Sequence, residues 1–221
     1  MIAIPILGIG ILAFFRDEES IRRIALGVTM VEVLLSLILC TSFDLSLQGM
    51  QFVERVQWMP TFNIQYAVGV DGISILMVML TVLLCPLCVL CSWTSIKTRV
   101  RAFLSLILLV EGAMIVVFTA LDLFLFFMLW ELTMIPMYFM IILWGGPNRL
   151  AAGLKFVLYS LAGSLLLLIG ILGVYLNGGN TYDLLVLTEH TYSSSTQSWL
   201  FLAFFLSFAI KMPMVPFHTW L

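Results

Sequence analysis

An apolar run with a single acid inside it constrains this chain more than any other feature. Residues 122–147 read DLFLFFMLWELTMIPMYFMIILWGGP, and Glu131 is the one carboxylate between Leu123 and Trp144. At about 1.5 Å of helical rise per residue this stretch reaches past the ~30 Å of a bilayer's hydrocarbon and leaves Glu131 near its middle. A charge at the centre of a membrane helix costs roughly 2.5–3.5 kcal/mol at the least, so such a residue turns inward and pairs, or carries protons.

The whole composition follows that run. Hydrophobic residues make up 62% of the chain and charged ones 10%, against the ~25% charged residues of an average soluble domain. Mean hydropathy is +1.15. The chain reads as an all-α integral membrane protein. Net charge is −2, and no basic block or aromatic-interleaved basic patch points to nucleic acid. The N-terminus, MIAIPILGIGILAFFRDEES, has neither a basic leader nor a small-residue cleavage site, which makes it a retained first span. Cys85, Cys88 and Cys91 form a C-x-x-C-x-x-C run. It lies inside an apolar span with no histidine near, so small hydrophobic packing is the reading, not metal or disulfide.

Apolar runs of spanning length fall near residues 2–15, 24–43, 73–93, 102–121, 123–145 and 154–176, with a seventh beginning at Trp199, so about seven transmembrane helices are expected. Basic residues collect in the odd connections: Arg16, Arg22 and Arg23; Lys97, Arg99 and Arg101; Arg149 and Lys155. The even connections hold only Arg55, so the odd ones face the cytoplasm or matrix by the positive-inside rule. In the second connection Pro60 opposes a regular helix, Trp58, Phe62 and Tyr66 suit an aromatic belt, and Asp71-Gly72 signals a turn. No G-x-G-x-x-G or P-loop lysine is present. Two regions are expected, 1–101 with three spans and 102–221 with the rest.

The buried ionisable groups are Glu32, Glu111, Glu131 and Lys211, more than packing requires. Glu32, alone in VTMVEVLLS, reads as a neutral or tail-facing acid. Glu111 has small neighbours, Gly112 and Ala113, that admit a close helix and leave a relay role open. Lys155 reads as a snorkelling side chain at a span's mouth. Lys211 follows the twelve apolar-rich residues 199–210, which places it roughly 18 Å into its span. Pro213 and Pro216 then break the helix, which a membrane tolerates only against protein or a watery cavity. A broken helix beside a buried lysine is a recurrent ion-site design. Withdrawn from water, the amine can load and release protons, and its distance to a carboxylate such as Glu131 sets which. His218, in KMPMVPFHTW, is a further candidate relay.

Taken together, FVE-x-x-x-W with VGVDGIS, LFLFFMLWELTMIPMYFMIILWGG, KFVLYSLAGSLLLL and AIKMPMVPFHTWL resemble the family of chain 4 of NADH:ubiquinone oxidoreductase, the bacterial subunit M, over nearly the whole sequence. The resemblance implies an antiporter-like inverted-repeat fold, only partly present, of a subunit in the membrane arm of respiratory complex I. It implies proton translocation through Glu131 and Lys211 as an ion pair, driven by quinone reduction elsewhere. His218 matches the family's histidine. No redox centre is expected in this chain; flavin, iron–sulfur clusters and quinone belong to partner subunits. The partners implied are other membrane-arm subunits, lipids and a second chain carrying the C-terminal half of a split subunit, unless the chain is a truncated product. The mitochondrial inner membrane is the favoured location and a bacterial plasma membrane the other. The alternative is a membrane subunit of a multisubunit cation/proton antiporter, which shares the lysine and glutamate motifs.

Overall fold

The computed structural model describes residues 1–221. In chain order come α1 (Ala3–Phe14), α2 (Glu18–Ser42), β1 (Gln51–Met59), β2 (Ile64–Val70), α3 (Gly72–Ser95), α4 (Val100–Thr119), α5 (Leu123–Leu132), α6 (Met134–Trp144), α7 (Arg149–Asn177), α8 (Leu184–Glu189) and α9 (Ser194–Lys211). Five helical stretches are long and apolar enough to cross a membrane: Glu18–Ser42, Gly72–Ser95, Val100–Thr119, Leu123–Trp144 and Arg149–Asn177. The 12-residue α1 and the 18-residue α9 lie outside these five, so every expected segment is helical while length and apolarity together support five spans. Contacts group the chain into two units, Met1–Val53 with Gly69–Thr119, and Glu54–Val68 with Ala120–Leu221. Their boundary in the second half of the chain falls after α4.

In the first unit α2 buries Ile21, Ala25, Thr29, Glu32 and Ser36, and α3 buries Ile75, Val78, Val82, Cys85, Val89 and Ser92. Spacings of three and four keep one stripe of each helix facing its neighbours. Lipid tails are as apolar as leucine, so close packing rather than water exclusion holds such helices together. Gly8 shows how close: a Cβ there would lie 2.8 Å from Val28 and 3.2 Å from Leu108. At one end of this unit two arginines satisfy helix-terminal carbonyls. Arg22 donates to Ser92 O at 3.4 Å and Ile96 O at 2.7 Å, and Arg101 donates to Phe15 O. The first and third connections therefore lie at the same end, as the charge pattern requires.

The second unit is built on α7. Gly163 brings α9 close, where a Cβ would meet Ile210 at 3.2 Å, and Gly170 receives the Phe204 ring at the same distance. An aromatic core forms around Ile64, Leu167, Ile171 and Tyr182, with Tyr175 stacked on Tyr182 at 4.4 Å between centroids. Two features differ from the sequence expectation. Residues 123–145, expected as one helix, form one apolar helical stretch whose regular ladder is interrupted at Thr133 between α5 and α6, with Thr133 itself keeping helical angles, φ −63° and ψ −25°, because Pro136 lacks an amide proton and its ring crowds the carbonyl of Leu132. The second connection, for which no strand is expected, contains the β1–β2 hairpin. Its alternating β-branched and aromatic residues suit strands, and Asn63 turns the chain with φ 55°.

Asp122 and Asp183 tie the hairpin's unit together outside the spans. Asp122 caps α5 through the amides of Phe124 and Leu125, both at 2.9 Å, and accepts from Gln65 N at 3.0 Å. Asp183 caps α8 through Leu185 N and pairs with Arg55. Burial pushes the Asp122 carboxyl above the usual carboxylate range despite its three amide donors.

A candidate proton site at the end of the broken helix

Lys211 is the last residue of α9. The carbonyl that Pro213 leaves without a partner is that of Ala209, four residues upstream, and Met214 N supplies the missing donor at 2.9 Å. Trp220 Nε1 donates to Ile210 O at 2.8 Å, and Met212 N to Phe208 O at the same distance. The break is thus sealed from within the chain around Ala209 and Ile210. A short 3-10 turn, Phe217–Trp220, packs the Trp220 ring 5.5 Å from Phe156. Lys155 holds this turn by donating to Thr219 O, and Tyr159 bonds the Thr219 hydroxyl at 2.8 Å.

The ammonium of Lys211 is buried and has no hydrogen-bond partner. It lies 5.1 Å from the centroid of the Trp130 ring, a cation–π contact, and Phe208 braces that ring edge-on at 5.8 Å. A tight crevice lined by Trp130, Ser160, Gly163, Ser164, Ser207, Ile210 and Lys211 runs beside it. Glu131, one residue after Trp130, is half-buried and receives a hydrogen bond from Ser164 Oγ. The carboxylate acts electrostatically on Lys211, yet no ion contact within 4.0 Å joins them. The direct ion pair implied by resemblance is therefore an interaction at a distance in this structure. Ser164 Oγ also lies 2.7 Å from Ser160 O.

The other expected relays lie elsewhere. His218 is exposed on the terminal turn, away from the crevice lining. Glu111 belongs to the first unit, where it is fully buried. Glu32 is also fully buried there, which corrects the tail-facing alternative. Cys85 is buried while Cys88 and Cys91 are exposed, and all are free thiols. Trp130, Ser160, Ser164 and Ser207 are not evident in the sequence, because neutral residues do not stand out in a membrane span. Ser160 and Ser164, four apart on α7 beside Gly163, were the available signal.

These features define a polytopic helical membrane protein with a buried lysine at a helix break facing a hydroxyl-tethered acid. The chain belongs to the family described as NADH-ubiquinone oxidoreductase chain 4, amino terminus, which it matches over residues 1–117, and residues 120–221 match the family described as NADH:quinone oxidoreductase/Mrp antiporter, TM. NADH-quinone oxidoreductase subunit M of Rhodobacter capsulatus is 43% identical over 92% of this chain and 42% of its own length. Chain 4 of NADH-ubiquinone oxidoreductase from Chondrus crispus is 40% identical over 98% of this chain and 44% of its own. The chain thus spans less than half the length of these relatives. A chain of respiratory complex I from Thermus thermophilus superposes with a TM-score of 0.87 at 32% identity, over 100% of this chain and 45% of that one. The Mrp complex from Dietzia gives 0.83 at 18% identity, over 99% of this chain and 24% of that one, a likeness of fold.

Proposed function

We propose that the chain forms part of a membrane-arm subunit of a proton-translocating NADH:quinone oxidoreductase, and that Glu131 and Lys211 carry its protons. The observation that supports this most is the Lys211 ammonium, buried without an acceptor at a helix break and held apart from a carboxyl tethered to Ser164. An amine so placed answers to small changes in the position or protonation of Glu131. Quinone reduction elsewhere in the complex would supply such a change, with flavin, iron–sulfur clusters and quinone held by partner subunits. Neither His218 nor Glu111 is needed for this step. The wall facing Lys211 is assigned to the sequence that makes up the rest of the relatives' length, in this or another polypeptide. The setting is an energy-transducing membrane, mitochondrial or bacterial, and the division into a three-span region and a first antiporter-like repeat is part of the same proposal.

Purified complex reconstituted in vesicles tests it: Glu131→Gln and Lys211→Met should depress proton uptake driven by quinone reduction. Uptake unimpaired in both variants would remove these residues from the mechanism. The fold likeness to the Mrp complex favours a second reading, a subunit of a cation/proton antiporter. Co-purification with flavin and iron–sulfur subunits supports the first reading, and recovery with small membrane chains alone supports the second.

A further inference from the structure

The first unit buries two acids that the mechanism above does not use. Glu32 on α2 and Glu111 on α4 are each 0% exposed, on helices that pack together. Each carboxyl lies within electrostatic reach of the other, and the Cys85 thiol of α3 lies against Glu111. The Met1 ammonium, at the start of α1, is the cationic group that reaches Glu32. None of the four carboxyl oxygens has a hydrogen-bond partner.

The reason is visible in the neighbouring side chains. Thr29 and Ser36, three residues before and four after Glu32 on the same buried face, turn their hydroxyls to their own helix, to Leu26 O at 3.0 Å and Val33 O at 2.8 Å. Each hydroxyl has one proton and has spent it. Pro5, which has no amide proton, closes the other side, since a Cβ on Gly112 would lie only 3.4 Å from its ring. Beyond the weak thiol donor of Cys85 beside Glu111, neither neighbouring hydroxyl is free to donate to the pair, and two ionised acids facing one another in this setting would add repulsion to the loss of solvation.

We propose that Glu32 and Glu111 form a second proton-binding site, confined to the first unit, which holds at least one proton at neutral pH and titrates as a coupled pair. It stands independently of the pumping role assigned to Glu131 and Lys211. In a coupled pair the protons leave in two steps that belong to both residues, so changing one acid must move the titration of the other.

Infrared spectroscopy of the full chain in lipid, with glutamate labelled by carbon-13 at its side-chain carboxyl, reads the site directly. A Glu131→Gln background removes the contribution of that residue, and the label separates glutamate from aspartate. The expected result is a protonated-glutamate carbonyl absorption that persists at neutral pH, well above the ~4.3 at which exposed glutamates ionise. Adding Glu32→Gln or Glu111→Gln should remove part of it and shift the titration of what remains; the double variant should abolish it. Where a Gln variant fails to fold, Glu32→Asp should instead move part of the absorption to the unlabelled frequency and shift the titration of the labelled remainder. Absence of the band at neutral pH overturns the proposal. So does a band whose remaining half titrates unchanged when its neighbour is altered, which would mean isolated acids. Proton pumping is not the readout, so failure here leaves the function proposed for the second unit intact.

Discussion

Both units bury carboxyls in a helical interior, but they surround them differently. Glu131 has a serine hydroxyl to receive a hydrogen bond from and a lysine within electrostatic reach. Glu111 has only the weak thiol donor of Cys85 beside it, and Glu32 only the more distant charge of the Met1 ammonium. Burial alone therefore does not define a translocation site. An acid with a donor and an opposite charge has two states close in free energy, which a small movement can exchange. The proposed holding site lacks a strong donor, and an ion there costs several kcal/mol more in an apolar interior. On the two proposals made above, the same overall composition supplies an exchanging site in one unit and a holding site in the other.

The strongest way to break this comparison is to exchange the roles. Lys211→Met should lower driven proton uptake by about tenfold or more, corresponding to ~1.4 kcal/mol or more in the barrier, with Glu131→Gln close behind. Glu32→Gln and Glu111→Gln should have smaller effects in the same vesicle assay. Equal losses from all these variants would show that the acids of the first unit lie on the path and that the distinction fails.

Packing gives the next largest effect. Gly163 sets the α7–α9 approach beside Lys211, so Gly163→Leu should force the helices apart, with an overpacking cost of roughly 1–3 kcal/mol, and lose uptake as well. Gly8→Leu, against Val28 and Leu108 in the first unit, should cost a similar amount of stability with a smaller loss of uptake per folded molecule. Thermal unfolding in lipid together with the uptake assay separates the two outcomes.

Stability should also divide the acids by sign. A buried polar group with no partner costs about 1–3 kcal/mol, so Glu111→Leu should be neutral or stabilising by up to about that amount. Ser164→Ala removes the donor to Glu131 and should cost about 1 kcal/mol. Melting temperatures that fall as far for Glu111→Leu as for Ser164→Ala would indicate a partner for Glu111 that its present surroundings do not provide.

How much of this the sequence disclosed depends on whether a residue contrasts with its neighbours. Glu131 and Lys211 are charges within apolar runs, and the prolines after Lys211 mark the break, so both were found. The interruption of the helix at Thr133 is not evident in the sequence although Pro136 is in plain view, because a continuous apolar run masks a local loss of one hydrogen bond. The β1–β2 hairpin was missed because Pro60 and the aromatic residues suggested an interfacial loop. Ser164 becomes notable only when α5 and α7 are placed together, and the Glu32–Glu111 pair only when α2 meets α4. Pairings of this kind are made by tertiary packing, and spacing within one helix cannot reveal them.

The smallest expected effect concerns two helix caps outside the spans, one in each unit, whose pH responses should have opposite signs. Asp71 begins α3 with its side chain accepting from Ser74 N at 2.7 Å and Ile73 N at 3.1 Å, and the Ser74 amide holds its carboxyl below the usual range. The unfolded chain therefore binds more protons than the folded one between the lowered value and ~3.9. The contribution of Asp71 to stability is present above that window and is lost as pH falls through the folded value. Asp122, 2% exposed, has its carboxyl raised by burial, so the folded chain binds more protons and stability falls as pH rises from ~3.9 through the raised value. Removing either cap should cost about 1 kcal/mol, within a range of about 0.5–2. Beyond that shared cost, Asp71→Ala should flatten the acid side of the stability profile, and Asp122→Asn, which keeps an acceptor, should flatten its decline above the ordinary carboxylate range. Unfolding measured across pH for the two variants decides it: the same sign of change in both would mean that burial does not outweigh the three amide donors at Asp122.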